Sequence, residues 1–276
     1  MSESGRVARN FWITVQGRRL EVQRIAGSRA RAPELVFLHE GLGSVSLWRT
    51  FPAQVAAVTG CPVTVYSRYG SGESDVLGEA RAVRFMHDEA LQSLPEVLAQ
   101  LEIENPILVG HSDGGSIALI FAGSSQTQAS GGVRGLVLLA PHVFVEDLSV
   151  ASIAEAKVRF ETTDLPEKLA RHHRDAAKTF WGWNDIWLHP EFRSWNIEEY
   201  LSRITCPILA IQGRDDEYGT MAQVQAIGRQ AGGPVEIMEL AECGHSPHRD
   251  QTQAVLEAIR EFVGRMSGNK SGNRDV

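Results

Sequence analysis

The chain has 276 residues, 43% apolar and 22% charged, with a formal net charge of −7. That length suits one large α/β domain, or a core carrying an insertion. The acid excess argues against a phosphate-binding nucleic-acid surface, and no window is apolar for long enough to span a bilayer.

The N-terminus, Met1 to Arg6, lacks the apolar region of a signal peptide. Cys61, Cys206 and Cys243 are odd in number, widely spaced and free of C-x-x-C, as expected of reduced cytoplasmic thiols. Residues 1–10 read as frayed. Phe11–Val15 and Leu20–Ile25 flank Gln16-Gly17-Arg18-Arg19, which predicts an antiparallel hairpin at a sheet edge. Leu35–Leu38 is a continuous apolar run, as a parallel strand covered on both faces requires. It ends in His39-Glu40-Gly41-Leu42-Gly43-Ser44, a loop whose backbone N–H groups could face a developing oxyanion. Residues 48–58 read as a helix, Val63–Tyr66 as a buried strand and Ser67–Ser74 as a turn-rich loop. Residues 83–101 read as a helix kinked at Pro95.

Ile107-Leu108-Val109 is the next buried strand, and Ile117–Phe121 a buried helix. Between them stands Gly110-His111-Ser112-Asp113-Gly114, a G-x-S-x-G in the strand–turn–helix setting that lifts a serine hydroxyl out of a strained turn. The glycines stand where neighbouring backbone comes too close for side chains. The N–H of Asp113 is the first expected oxyanion donor. Gly41 is the second, with Leu42 as the alternative in the same loop. Residues 126–132 read as a polar connector and Leu136–Leu139 as a further buried strand.

The strand–helix alternation stops at His142. Through about Ile204, helices are predicted over 149–160, 165–181 and 195–203, in a segment holding Trp181, Trp183, Trp187 and Trp195. This is a helical insertion over the sheet's C-terminal edge. Trp181, Trp183 and Trp187, with Leu42 and His111, are the expected lining of an apolar pocket. Arg171-His172-His173-Arg174 reads as a solvated helix face, or as a partner for an acidic substrate. Strands resume at Ile208–Ile211, which ends in Gln212-Gly213-Arg214-Asp215-Asp216-Glu217. A helix (221–230), a strand (235–240), the loop Ala241–His248, a last helix (251–265) and a polar tail complete the chain.

A serine, then an acid, then a histidine therefore each follow a separate strand, on the edge where open α/β sheets place their sites. Serine needs a base within reach, and the base needs a carboxylate to fix its tautomer. Ser112, Asp216 and His245 supply these roles in the order Ser–Asp–His.

On these residues the chain resembles the α/β-hydrolase superfamily, as a serine-nucleophile member with a helical cap, from about Phe11 to Met266. The resemblance rests on His39-Glu40-Gly41, the Gly110–Gly114 motif, Gly213-Arg214-Asp215-Asp216 and Gly244-His245. It implies an eight-stranded, mostly parallel sheet with helices on both faces. The core is residues 1–141 and 205–276, and 142–204 form the cap. It selects Asp216 over Asp215 and His245 over His248. Glu40 stands where the family usually has glycine, and Ser67 where many members have aspartate.

The expected activity is hydrolysis of a small carboxylic ester by a Ser112–His245–Asp216 triad, with no cofactor, no metal and a small-molecule acyl substrate as the only required partner. No nucleic acid or membrane is expected, and the chain is expected as a monomer or homodimer. A carbon–carbon bond hydrolase or menaquinone-type lyase would need a cation in the pocket, from Arg171, Arg174 or Arg193. A slow-turnover ligand receptor on the same fold is the third expectation.

Overall fold

The structure, a computed structural model, describes residues 8–125, 127 and 132–267. The chain opens with an antiparallel pair, β1 (Ala8–Val15) and β2 (Arg18–Ile25). Its turn is only two residues long, Gln16 and Gly17, both left-handed at φ 50° and 72°. Such a turn matches the twist of the strands it joins. Ala8–Asn10, expected to fray, instead pair with Gln23–Ile25 and extend β1.

Six further strands follow: β3 (Leu35–Leu38), β4 (Val63–Tyr66), β5 (Ile107–His111), β6 (Gly135–Leu139), β7 (Ile208–Gly213) and β8 (Val235–Leu240). Among the described residues they form one eight-stranded sheet in the order β1-β2-β4-β3-β5-β6-β7-β8. The β2–β4 pair is antiparallel and every pair from β4 through β8 is parallel.

The helices are α1 (Phe51–Thr59), α2 (Phe85–Asp88), α3 (Leu94–Gln100), α4 (Asp113–Ala122), α5 (Asp147–Thr162) and α6 (Leu165–Ala170). After them come α7 (Ala176–Trp187), α8 (Glu198–Leu201), α9 (Met221–Gln230), α10 (Pro247–Asp250) and α11 (Thr252–Ser267). The central parallel strands β3 and β6 are apolar and buried throughout because both their faces are covered, whereas the edge strand β8 exposes Glu236 and Glu239. Val36, Leu38, Leu136 and Leu138 enter one core cluster, and Leu35, Phe37, Val137 and Leu139 the other. Side chains alternate across a strand, so adjacent residues feed opposite cores. Burying each such side chain contributes about 1.5–3 kcal/mol.

Several expected helices take a different form. Residues 85–100 form one unbroken helical run, α2 and α3 joined through the wide π turn Glu89–Ser93; the distortion expected at Pro95 takes the form of that π turn, which lies just before the proline and accommodates its missing N–H. The helix expected over 165–181 breaks at Arg171–Asp175. Asp175 caps α7 by accepting from the Lys178 N–H at 2.9 Å, and α7 continues to Trp187. Residues 48–58 begin as a 3₁₀ turn, Ser46–Trp48, before α1. Most of the 126–132 connector and the tail beyond Ser267 lie outside the described residues. Cys61, Cys206 and Cys243 are all free thiols; Cys61 and Cys243 are buried, and Cys206 is half-buried.

Candidate active site

β5 ends at His111, and Ser112, between it and α4, holds φ 52°, ψ −120°. That conformation is strained for any residue with a Cβ, at about 1–3 kcal/mol, and persists here because packing leaves no alternative. A Cβ on Gly114 would overlap the carbonyl oxygen of Leu38, and one on Gly110 would overlap that of Gly114. The turn is thus wedged between β3 and the start of α4.

The two expected oxyanion donors share one geometric device. A trans peptide points its C=O and N–H in opposite directions. The Ser112 carbonyl accepts from the N–H groups of Gly115 at 2.8 Å and Ser116 at 3.1 Å, so the Asp113 N–H faces the other way. The Glu40 carbonyl accepts from the Gly43 N–H at 3.0 Å, and His39 Nδ1 lies 2.6 Å from it, so the Gly41 N–H also faces away from its bonded carbonyl. Among the described residues nothing accepts a hydrogen bond from the N–H of Gly41, Leu42 or Asp113.

Asp216 lies just past β7 and His245 after β8. His245 Nδ1 is 2.9 Å from both carboxylate oxygens of Asp216. Those oxygens also accept from Gln212 Nε2 at 2.6 Å and from the N–H groups of Tyr218 at 2.8 Å and Gly219 at 3.2 Å. Burial alone would raise the Asp216 carboxyl, but the hydrogen bond and charge of His245, aided by the Tyr218 N–H, hold it below the ordinary range. Burial alone would lower His245; the Asp216 hydrogen bond and charge outweigh it, and the imidazole titrates above its usual value. With Nδ1 donating to the carboxylate, the basic lone pair is on Nε2.

Ser112 and His245 line one cavity of about 170 Å³, with Gly41, Leu42, His111, Trp183 and Trp187 among its walls. Ser112 Oγ makes no hydrogen bond among the described residues. Catalytic contacts of this kind often tighten only when substrate is bound. Asp216 borders the pair from behind rather than lining the cavity.

Trp181 does not line this cavity. It stands two positions from Trp183 on α7, hence on another face, packing edge-on against Phe160 and Phe180. Trp183 and Trp187, four apart, share a face. A Cβ on Gly41 would collide with the Trp183 indole, and Trp187 Nε1 donates to Asp113 Oδ1 at 3.2 Å.

Sequence reasoning missed several groups. Glu40, His142, Ser149, Ile153, Tyr218 and Ser246 all face the cavity. His142 is buried, which with the nearby His245 charge drives it down to about 3, so it stays neutral. Glu40 Oε2 is 3.4 Å from His111 Nδ1 and Oε1 is 3.8 Å from an Arg249 nitrogen. Burial would raise this carboxyl, but His111 and His39, with Arg249, hold it well below its usual range.

The Arg171–Arg174 run is not a solvated helix face. His173 is buried, with Nδ1 accepting from the Gly72 N–H at 2.9 Å and Nε2 3.0 Å from the Leu42 carbonyl. It therefore pins the glycine loops together. No lysine or arginine is among the cavity's described lining residues. Arg174 pairs with Asp75 at 3.5 Å and Arg193 with Asp147.

A strained serine at a strand–helix turn, an Asp–His pair past two later strands and a helical segment above them are features of one class of fold. The family model for the alpha/beta hydrolase family matches residues 35–258. The chain belongs to that family.

Proline iminopeptidase of Lactobacillus delbrueckii subsp. lactis is 23% identical over 278 residues, covering 87% of this chain and 93% of that protein. Among solved structures, the 2-hydroxy-6-oxo-6-phenylhexa-2,4-dienoate hydrolase from Rhodococcus sp. strain RHA1 superposes with a TM-score of 0.77 at 13% identity, over 94% of this chain and 99% of that one. A thermophilic esterase from Thermogutta terrifontis gives 0.68 at 18%, over 94% and 99%. Among the described residues no helix is long and apolar enough to cross a membrane.

Proposed function

We propose that the chain is a serine hydrolase that cleaves a small carboxylic ester through an acyl-enzyme. The observation that carries this reading is that His245, hydrogen-bonded from behind by Asp216, opens on the same cavity as Ser112. In the proposed cycle, Ser112 Oγ attacks the ester carbonyl while His245 Nε2 takes its proton. The N–H groups of Gly41 and Asp113 receive the oxyanion. Collapse breaks the bond to the leaving alkoxide, which takes the proton from His245, and Ser112 is left acylated. Water then attacks the acyl carbon, gives its proton to His245, and the acid leaves as the serine recovers its proton.

Asp216 fixes the imidazole tautomer throughout. We read residues 142–204 as a cap over this chamber, which the contacts of Trp183 with Gly41 and of Trp187 with Asp113 support. A cavity near 170 Å³ suits short acyl groups. Among the described residues no lysine or arginine lines it, which disfavours carbon–carbon cleavage of a carboxylate substrate, and the three arginines considered for that role are not in its wall.

The relatives named proline iminopeptidase favour amide cleavage as the second reading. Purified protein should be assayed on p-nitrophenyl acetate and butyrate beside a prolyl p-nitroanilide and a ring-fission dienoate. Ester turnover above about 1 s⁻¹, within the usual enzymatic range, is expected and also argues against a receptor. Anilide or dienoate turnover with inert esters overturns the ester assignment.

The pH dependence follows from the pair's charges. His245 must be neutral to act as base, and its partner raises it above 6.5. The acid limb of kcat/KM should therefore lie above pH 6.5, with activity falling about tenfold per pH unit below it. A limb below 6 would show that the Asp216 contact does not govern the base.

A further inference from the structure

Arg68 has the largest fully buried side chain in the structure, with 1% exposure. A guanidinium is expensive to keep out of water, and an ion pair so deep is weak evidence of a stabilising role. Its contacts point elsewhere. One nitrogen, Nη2, donates to the carbonyls of His39 at 3.2 Å and Glu40 at 3.0 Å. It also lies 3.8 Å from Asp113 Oδ2. The backbone N–H of Arg68 adds a hydrogen bond to His39 Nε2 at 3.0 Å.

Two of these partners, the Glu40 carbonyl and the Asp113 carboxylate, bear directly on an oxyanion donor. The Glu40 carbonyl belongs to the same rigid peptide as the Gly41 N–H, so drawing the oxygen toward the guanidinium turns the N–H the opposite way. A positive charge on that oxygen also polarises the amide and strengthens the N–H as a donor. Asp113 carries the other donor, and its carboxylate is fixed between Arg68 and the Trp187 indole. The strands that precede the two donors, β3 and β5, are neighbours, yet Gly41 sits in a loop and Asp113 at the first position of α4, so the two need a common brace.

We propose that Arg68 is a positioning residue that holds the Gly41 and Asp113 N–H groups in register for the transition-state oxyanion. It touches no substrate. This rests on the serine-hydrolase reading above, and its test separates the two. The wild type must first hydrolyse p-nitrophenyl butyrate and lose that activity on Ser112→Ala; otherwise the reading itself fails.

Given that activity, Arg68→Met should lower kcat about ten- to hundredfold, since loss of a whole oxyanion donor costs 10²–10³. KM should change less than about threefold, because the ground-state ester hardly uses the donors. Inhibition by butylboronic acid, whose tetrahedral serine adduct places an oxygen in the oxyanion position, should weaken by a factor similar to the kcat loss. The acid limb of the pH profile should not move, because His245 and Asp216 are untouched. Arg68→Lys should restore part of the loss.

A merely structural arginine would lower the amount of folded enzyme or its melting temperature and leave these ratios alone. If Arg68→Met does not fold, Asp113→Asn carries the test. It keeps the backbone N–H and the side chain's size, leaves one oxygen to accept from Trp187, and puts an uncharged NH₂ group in place of the oxygen that Arg68 faces. A kcat loss of about five- to tenfold with matching boronate weakening and constant KM is expected. Unchanged kcat in the folded variant, or a kcat loss without loss of boronate affinity, overturns the proposal.

Discussion

Ser112→Ala should lower kcat on p-nitrophenyl butyrate by about 10⁴-fold or more, with the fold intact. The residual rate would come from substrate binding and oxyanion donors alone, which in triad enzymes leave about 10³–10⁴ over water. Alanine keeps a Cβ at φ 52°, so the turn stays strained and the variant's stability should match the wild type. Ser112→Gly removes both the hydroxyl and the Cβ. Relief of the strain is offset by glycine's extra unfolded-state entropy of about 0.5–1 kcal/mol, so this variant should be equally inactive but slightly more stable. A pair of dead variants ordered in this way would locate the loss in the hydroxyl and not in collapse of the elbow. Kinetics on the ester series and thermal melts settle it; an active Ser112→Ala removes the proposed nucleophile.

The second large effect is expected from Asp216→Asn, about 10³- to 10⁴-fold in kcat. Both carboxylate oxygens lie 2.9 Å from His245 Nδ1, and both already accept from other donors: Gln212 on one, Tyr218 and Gly219 on the other. An amide NH₂ must displace an acceptor from this ring of donors. Wherever it turns, either a backbone N–H loses its partner or His245 Nδ1 faces a donor and must give up its proton. The imidazole then holds its proton on Nε2, where it cannot take one from serine. The acid limb should also fall toward the ordinary histidine value, since the raising contact is gone. Steady-state kinetics across pH 5–8 checks both; full activity with an unmoved limb would mean that Asp216 only supports the loop.

Much of the fold was legible because it depends on local patterns. The apolar runs at 35–38, 63–66 and 136–139 mark strands covered on both faces, and each is buried at every position. The glycines at 110 and 114 announce backbone crowding in the turn, which the structure displays against Leu38. What the residues could not convey depends on contacts across the chain. Nothing local distinguishes Trp181 from Trp183, because the face each presents depends on where α7 begins, and the break at 171–175 sets that start. His173 looked like part of a charged run, yet it is buried between Gly72 and Leu42 from other loops. Arg68 lay in a loop read only as turn-rich, and only the approach of the His39 and Glu40 carbonyls gives it a role. Glu40 stood out as a departure from the family's glycine; its partners, His111 and Arg249, come from 71 and 209 positions away in the chain (111 − 40 and 249 − 40).

The most direct test of the serine-centred account is covalent. Purified protein should be incubated with a small fluorophosphonate, its intact mass recorded and the modified peptide sequenced. One phosphonyl group per chain, carried by the peptide at residue 112 and lost with esterase activity when His245 is replaced by glutamine, is the expected outcome. Full ester hydrolysis by protein that takes up no label at that serine would contradict it.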